Sequence, residues 1–376
     1  MWHGRLARAD DPHGPDARAT GQIIMSLIND ILRNAVQAKA SDIHLMVGSP
    51  PLFRIHTVVT PTDFPVVTPE GSLRICKEMV GDARWEAFQK VRDADFSYEI
   101  PGLSRFRVNA HYQRNSAAMA FRTINDKVRP LEQLLLPDIC NKLTYLPRGL
   151  ILVTGPTGSG KSTTLAAMID SINRREQGHI ITLEDPIEYA FVSNKCAIEQ
   201  REVGADVPSF ASGLRHVLRQ DPDTILVGEM RDLETVSAAI TAAETGHLVF
   251  STLHTVNAPQ TIERIIDVYP ADEQNQIRSM LANTLQAVIS QTLFKRADQP
   301  GMVPAIEVML CTPAVRNCIR ENRIFEISNV IETSRALGMQ TLDSSIKQLF
   351  VNGFVTREDA IAQAAHPEKL ERALAA

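Results

Sequence analysis

One stretch of the sequence decides the fold class: Leu150-Ile151-Leu152-Val153-Thr154-Gly155-Pro156-Thr157-Gly158-Ser159-Gly160-Lys161-Ser162-Thr163. Its second half matches G-x-x-x-x-G-K-S, the phosphate-binding loop of nucleotide-binding proteins. An apolar run leads into the loop and a helical pattern leads out of it, which is the strand–loop–helix context that the motif requires. The stretch therefore predicts a nucleotide-binding α/β domain built around a parallel sheet.

The residue types in this loop suit a polyphosphate ligand. Glycines let successive backbone N–H groups wrap round the phosphates, and the following helix N-terminus adds positive potential. Lys161 is expected to neutralise the β- and γ-phosphates of ATP, and the Ser162 hydroxyl to ligate Mg²⁺. We assign nucleotide binding to nine consecutive residues: Gly155, Pro156, Thr157, Gly158, Ser159, Gly160, Lys161, Ser162 and Thr163.

Short apolar stretches alternate with longer helical patterns from Gly149 onward. The predicted strands are Leu150–Val153, Ile180–Leu183, Thr224–Val227 and Leu248–Leu253. Such alternation is typical of a mainly parallel sheet with crossover helices. The last 70 or so residues are mostly helical in pattern, near Pro313–Arg320, Leu342–Phe350 and Arg357–Ala364.

The region 25–125 has the pattern of a smaller α+β domain. A helical pattern starts near Met25, and two more helices are predicted near Ser72–Val80 and Asp82–Val91. Period-two alternation predicts strands at Ile43–Met46, Phe53–Val59, Asp95–Ile100, Phe106–His111 and Ala117–Ile124. Residues 126–148 are predicted to be a linker, since 125–130 is polar, ends in proline and lacks apolar periodicity.

Residues 1–24 differ from the rest of the chain. They hold Gly, Pro, Asp, Arg and His with almost no apolar periodicity, and no signal-peptide core is present. We interpret them as a disordered extension, which an upstream start codon chosen in error would explain; a functional tail is the alternative.

Composition limits the function classes. The chain has 376 residues, 44% of them hydrophobic and 22% charged, which excludes global disorder. The net charge of −5 argues against a broad nucleic-acid-binding surface. No apolar run approaches the roughly 18 residues of a membrane span, so we expect a cytoplasmic protein that is soluble or at most peripheral to a membrane. Five cysteines without a Cys-x-x-Cys pair indicate reduced thiols and argue against a disulfide framework.

Carboxylates follow two of the predicted strands. Glu184-Asp185-Pro186-Ile187-Glu188 comes directly after one strand, and Gly228-Glu229 ends another. The carboxyl ends of parallel strands form the ligand crevice of an open α/β sheet. One of these carboxylates is expected to orient the attacking water and another to contact Mg²⁺ through water, but spacing alone leaves the choice within 184–188 open.

Two histidines and two arginines complete the candidate site. His247 and His254 flank the strand Leu248–Leu253, about 20 Å apart if the strand is extended, which is too far to share a zinc ion. A hydrogen-bonding role beside the nucleotide is predicted for at least one of them. Arg107 and Arg122 lie on successive predicted strands, and either a solvated edge or a contact to the transferring phosphoryl group is consistent with that pattern.

The order of these motifs resembles the secretion ATPase superfamily, in which they are known as Walker A, Asp box, Walker B and His box. The resemblance runs from about Met25 to the C-terminus. It also includes Ala40-Ser41-Asp42-Ile43-His44-Leu45, Arg105-Phe106-Arg107-Val108-Asn109-Ala110, Gln200-Arg201-Glu202-Val203 and Leu337-Gly338-Met339-Gln340-Thr341-Leu342-Asp343.

Within the superfamily the chain is similar to the pilus retraction ATPases, which carry Ala-Ile-Arg-Asn-Leu-Ile-Arg near the C-terminus. This chain has Ala314-Val315-Arg316-Asn317-Cys318-Ile319-Arg320, with mild departures at Val315 and Cys318. In that family the motif serves retraction rather than ATP hydrolysis. Its apolar residues recur at helical spacing, so we expect part of it to pack on the domain.

The resemblance implies roles for the candidate residues. Glu188 is implied as the catalytic glutamate that activates water, and Glu229 as the residue that supports Mg²⁺. His247 and His254 are the His-box histidines, and Arg107 and Arg122 are implied to reach the γ-phosphate. The fold implied is α/β, with a RecA-like ATPase core and helical C-terminal extension over 149–376, preceded by a small PAS-like α+β domain over 25–125.

The implied assembly is a homohexameric motor at the cytoplasmic face of the inner membrane. It would act on the pilus inner-membrane platform protein, with the accessory retraction ATPase and the extension ATPase as further partners. Pilus extension and type II secretion ATPases are one alternative, although they normally carry an additional N-terminal domain and a tetracysteine zinc motif that this sequence lacks. The accessory retraction ATPase, a nucleic-acid translocase and a nucleotide-binding subunit without turnover are the others.

Overall fold

The computed structural model describes residues 27–55, 58–124 and 128–375. The chain divides into two compact units, Met1–Asp126 and Lys127–Ala376. The predicted extension 1–24 lies outside the described residues.

The first unit is a six-stranded antiparallel sheet with helices. Its elements are α1 (27–37), β1 (Asp42–Leu45), β2 (Leu52–Ile55), β3 (Val58–Pro61), α2 (Pro69–Val80), α3 (Asp82–Val91), β4 (Asp93–Ile100), β5 (Ser104–Gln113) and β6 (Ser116–Ile124). The strand order is β3-β2-β1-β6-β5-β4. The single strand predicted over Phe53–Val59 is wrong, because Ile55 pairs antiparallel with Val58 and two strands form.

Alternation along the strands gives this sheet one apolar face. Ile43, Phe121 and Val108 pair across neighbouring strands and are fully buried, or nearly so, in one cluster with residues of the three helices. The intervening residues, such as Asp42 and Arg122, also pair with each other and therefore project from the opposite face. The polar residues of the strands are thereby displayed on that second face.

The second unit contains a seven-stranded sheet between layers of helices. Its strands are β7 (Gly149–Thr154), β8 (His179–Glu184), β9 (Ala197–Glu202), β10 (Thr224–Val227), β11 (Leu248–Leu253), β12 (Leu285–Lys295) and β13 (Met302–Leu310). Its helices are α4 (Asp138–Leu143), α5 (Lys161–Arg175), α6 (Phe210–Val217), α7 (Leu233–Glu244), α8 (Ala258–Asp267), α9 (Gln274–Thr284), α10 (Pro313–Arg320), α11 (Ile327–Thr333), α12 (Leu342–Val351), α13 (Arg357–Ala362) and α14 (Pro367–Ala375).

The sheet order is β13-β12-β7-β11-β10-β8-β9, with only β13 antiparallel to its neighbour. Alternate residues of β7 enter different clusters: Leu150 and Leu152 pack on one face, and Ile151 and Val153 on the other. Burial on both faces explains the unbroken apolar run that precedes the phosphate loop. The four strands predicted for this region are confirmed as adjacent parallel strands.

The predicted linker 126–148 requires a correction. Leu131, Leu134, Cys140 and Leu143 are buried in the cluster that covers one face of the second sheet. Most of this stretch is therefore part of the second unit, because its apolar side chains supply core there.

Within the described residues, no helix combines the length and the hydrophobicity needed to cross a bilayer.

Candidate active site

The phosphate loop, residues 155–162, joins the end of β7 to the start of α5. Gly155, Gly158 and Gly160 have φ values of +141°, +80° and +89°. A Cβ on Gly155 would lie 2.2 Å from the Gln291 carbonyl oxygen and 2.6 Å from the Ser159 hydroxyl. Glycine is thus required at this position both for its backbone angle and for the close approach of β12.

Lys161 is folded over the loop. Its Nζ donates hydrogen bonds to the carbonyl oxygens of Gly155 and Pro156, at 2.9 and 3.0 Å. Burial lowers the pKa of the Lys161 amino group, while the charges of Glu188 and Glu229 act in the opposite direction. Both carboxylates are therefore near enough for their charges to act on this amino group.

Glu184 and Glu188 have different environments. Glu184, at the end of β8, is buried and accepts hydrogen bonds from Thr182 Oγ1 at 2.7 Å, Gln200 Nε2 at 3.0 Å and the Glu188 backbone N–H at 3.3 Å. Burial raises the pKa of Glu184 above its usual value. Glu188 is exposed. Of these two carboxylates, Glu188 is therefore the one that is accessible to water, and Glu184 supports the loop that carries it.

The loop after β8 is also tied to α5. The hydroxyls of Tyr189, in this loop, and Thr163, in α5, are 2.8 Å apart. The Asp185–Pro186 peptide bond, which lies between β8 and Tyr189, is cis. Gln200 on β9 donates to the Tyr189 carbonyl at 2.8 Å and accepts from the Phe191 N–H. These contacts hold the Glu188 segment beside the first turn of the helix that follows the phosphate loop.

Glu229 follows the end of β10. A Cβ on Gly228 would lie 3.2 Å from the Leu183 carbonyl oxygen, so the close approach of β8 favours glycine at the usual aspartate position of Walker B. The Glu229 carboxylate lies 2.7 Å from Arg231 Nε and 3.4 Å from His254 Nε2. The structure thus places one His-box histidine against the Walker B carboxylate.

His247 lies at the edge of the sheet opposite the phosphate loop. The prediction that it belongs to the nucleotide site of this chain is therefore corrected. β11 runs parallel to β7, with Leu253 paired to Thr154 at the phosphate-loop end and Leu248 paired to Gly149 at the other. His247 precedes Leu248, and its Nδ1 lies 2.9 Å from the Ala242 carbonyl oxygen. The six residues of the strand separate it from the loop by about 20 Å.

Arg107 and Arg122 belong to the first unit and pair directly across β5 and β6. Arg122 Nε donates to Asp42 Oδ1 at 3.0 Å, and Arg54 Nε lies 3.7 Å from the other oxygen of Asp42. Burial alone would raise the pKa of Asp42, but hydrogen bonds from Ser41 and Arg122 and the charges of both arginines lower it. Asp42 therefore stays ionised and holds Arg122 on the polar face of the sheet.

Gln291 is a site residue that the motif analysis missed. It lies in β12, more than 120 positions after the loop, yet its side chain contacts both Ser159 and Thr164. No motif surrounds it in the sequence. Only the pairing of β12 with β7 brings it to the phosphate loop.

The residues present fit Mg²⁺ bound together with a nucleotide. Within the described ranges, no three His, Cys, Asp or Glu side chains converge to form a metal site on their own. Mg²⁺ usually keeps several waters and is held by substrate phosphates plus one or two protein oxygens. Ser162, in the first turn of α5, and the carboxylate of Glu229 are oxygen donors of that kind.

Comparisons with known proteins show what the chain as a whole is similar to. Residues 17–362 match the model of the family described as type II/IV secretion system protein. The type IV pilus retraction ATPase PilT of Pseudomonas aeruginosa is 48% identical over 341 residues, 91% of this chain and 99% of that protein. The type IV pilus ATPase PilU of the same bacterium is 40% identical over 334 residues, 89% of this chain and 87% of that protein.

A solved structure of the pilus retraction motor PilT with bound ADP matches this chain with a TM-score of 0.86 and 44% identity, covering 91% of this chain and 98% of that one. The match confirms the predicted fold class, α/β with a RecA-like core preceded by a smaller α+β domain. The chain belongs to the type II/IV secretion system protein family.

Proposed function

We propose that this protein hydrolyses ATP to drive the retraction of type IV pili. The observation that carries the hydrolase part is the position of the Lys161 amino group on the phosphate loop, with the Glu188 segment held beside the first turn of α5. Support for the retraction part comes from the PilT relative, whose identity of 48% exceeds the 40% of PilU, and from the α10 motif. Twitching motility is the cellular behaviour expected to depend on it.

The proposed chemistry is phosphoryl transfer to water. Phosphate-loop N–H groups and the start of α5 bind the phosphates, and the Lys161 amino group exchanges its two carbonyl partners for phosphate oxygens. Glu188, exposed and held by the Glu184 contacts, orients the attacking water. Mg²⁺, when bound beside Ser162 and Glu229, supplies positive charge against the charge that develops on the phosphates.

Arg107 and Arg122 are proposed to supply further positive charge to the γ-phosphate. Phosphoryl-transfer enzymes commonly use an arginine for this purpose, and a planar guanidinium suits phosphate oxygens. The ion pair with Asp42 would hold Arg122 in one orientation until the phosphate competes for it. His254 would adjust the position of Glu229.

The proposed assembly is a homohexamer at the cytoplasmic face of the inner membrane. Nucleotide-dependent motion of its units would act on the pilus platform protein, with the accessory retraction ATPase and the extension ATPase working at the same pilus base. Membrane association would then occur only through the platform. No nucleic-acid partner is proposed, since the net charge is −5.

Two measurements test the proposal. Purified full-length protein should hydrolyse ATP in the presence of Mg²⁺, and a strain deleted for it should be hyperpiliated and unable to twitch. Loss of pili in that strain would instead identify an extension ATPase. Normal twitching that fails only under load would favour an accessory retraction ATPase, and absence of turnover by the assembled protein would rule out the motor.

A further inference from the structure

Gln291 occupies a buried position between two parts of the phosphate-binding element. The residue is only 3% exposed, although its side-chain amide carries both a polar nitrogen and a polar oxygen. Nε2 donates to the Ser159 carbonyl oxygen at 2.5 Å, and Oε1 accepts from the Thr164 hydroxyl at 2.9 Å. One amide thus joins the middle of the loop to the first turn of α5.

The two partners fix the orientation of this amide. A carbonyl oxygen can only accept, so the nitrogen of the side chain must face Ser159. The oxygen must then face Thr164. Neither a carboxylate nor an aliphatic side chain of the same size satisfies both partners, and a buried polar group left without a partner is destabilising.

The loop is also shaped to admit Gln291. The Gln291 backbone carbonyl oxygen is the atom that a Cβ on Gly155 would meet at 2.2 Å, and its Nε2 is the atom that a Cβ on Gly160 would meet at 3.0 Å. Two of the motif's glycines therefore lie directly against this one residue. Glycine at these positions gives β12 room to approach as well as giving phosphate oxygens access to the backbone.

We propose that Gln291 is a positioning residue for nucleotide binding, which holds the Ser159–Thr164 segment in the conformation that presents its N–H groups to phosphate. This inference rests on the proposed nucleotide hydrolysis and names a residue outside its motifs. The peptide between Ser159 and Gly160 can offer its N–H to the phosphates only if the Ser159 carbonyl points away from them. The hydrogen bond from Gln291 Nε2 holds the Ser159 carbonyl in that direction.

Replacement of Gln291 by leucine tests this inference, with Gln286→Leu as the matched control. Gln286 lies in the same strand, but its side chain packs against Gly149 at the far end of β7. In full-length protein, Gln291→Leu should weaken binding of fluorescent ADP and raise KM for ATP by about tenfold or more, since both hydrogen bonds to the loop are lost. Gln286→Leu should change both by less than about twofold.

Gln291→Glu tests the contact with Ser159 separately from the contact with Thr164. It keeps an acceptor for Thr164 but places a carboxylate against the Ser159 carbonyl oxygen, so ADP binding should fall at least as far as in Gln291→Leu. Thr164→Val removes only the other contact and leaves β12 unchanged, so a smaller loss is expected. This variant keeps the inference testable if Gln291→Leu fails to fold.

A merely structural role predicts a different result. Gln291→Leu would then melt at a lower temperature without ligand, yet bind fluorescent ADP with wild-type affinity where it is folded, which would overturn the inference. Wild-type affinity in Thr164→Val and Gln291→Glu together would overturn it as well. Failure of the wild-type protein itself to bind ADP would instead reject the proposed function and, with it, this inference.

Discussion

Arg316 in α10 donates a hydrogen bond from Nη1 to the Ala282 carbonyl oxygen, at 2.7 Å, and so joins α10 to the end of α9. The same guanidinium reaches the carbonyls of Asn283, at 3.0 Å, and Cys311, at 2.9 Å. The last carbonyls of a helix have no partner within it. Arg316 supplies such a partner for α9, so this residue of the α10 motif has a structural role.

We expect two neighbouring polar residues of this motif, Arg316 and Asn317, to differ in their effect on stability when each is replaced by alanine. Arg316→Ala should lower the free energy of unfolding by about 1–3 kcal/mol, because several carbonyls lose a charged donor. Asn317 is exposed, so Asn317→Ala should leave stability within about 0.5 kcal/mol of wild type. Chemical denaturation of both variants measures the difference.

Retraction provides the second readout for these variants. If the exposed face of α10 contacts neighbouring subunits or the platform, Asn317→Ala should abolish twitching while ATP turnover stays within about an order of magnitude of wild type. Normal twitching in Asn317→Ala would show that this position has no part in coupling. Equal destabilisation by both substitutions would contradict the capping role assigned to Arg316.

Replacement of Lys161 by alanine should abolish ATP turnover and leave the protein folded. Among the described residues, the Lys161 amino group donates its hydrogen bonds to the loop's own carbonyls, so its removal takes no side chain out of the apolar core. A steady-state assay should show a loss of at least about 100-fold, with a far-ultraviolet circular dichroism spectrum like that of wild type. Turnover near the wild-type rate would reject the proposed hydrolase.

Glu188→Gln and Glu184→Gln should have different consequences. Glu188→Gln should bind ATP yet hydrolyse it at least about 100-fold more slowly, because the exposed carboxylate that we propose to orient water is lost. Glu184→Gln should retain more turnover and lose stability instead, since a side-chain amide cannot accept all three hydrogen bonds that Glu184 receives. Single-turnover kinetics and melting temperatures distinguish them, and the reverse ranking would move the catalytic role to Glu184.

Glu307 gives a prediction of pH dependence. Its carboxylate on β13 accepts a hydrogen bond at 2.8 Å from the Ala258 N–H at the start of α8. Burial, together with the charge of Asp343, raises the pKa of Glu307 above 4.5. The folded protein therefore holds this proton more tightly than the unfolded chain does, and the stability it contributes is present below 4.5 and lost as pH rises through the raised pKa.

Glu307→Gln keeps an acceptor for Ala258 and removes the titration. Relative to wild type, this variant should gain stability between about pH 4.5 and neutral pH, with the gain growing as pH rises. Urea denaturation at about pH 5 and about pH 7.5 checks the trend. A stability difference that is constant across this range would refute it.

Local patterns were sufficient for much of the fold and for part of the site. Strands β7, β8, β10 and β11 were predictable because burial on both sheet faces requires short unbroken apolar runs. The phosphate loop was predictable because its glycines and lysine are adjacent in the chain. The hairpin of β2 and β3 was merged into one predicted strand, because a short alternating run does not reveal where one strand ends and the next begins. Strands β12 and β13 were missed as well, and β12 follows α9 directly, with no turn signal between Thr284 and Leu285.

The sequence by itself determined the phosphate-binding chemistry, since that chemistry depends on residues that lie next to one another. Tertiary structure alone decided three further points. It made Glu184 a buried support and left Glu188 exposed, although the two lie on one five-residue segment. It placed His254, rather than His247, against Glu229, because the parallel pairing of β11 with β10 puts the carboxyl ends of both strands at the same edge of the sheet. It also brought Gln291 to the loop, since strand pairing joins residues that no local pattern relates.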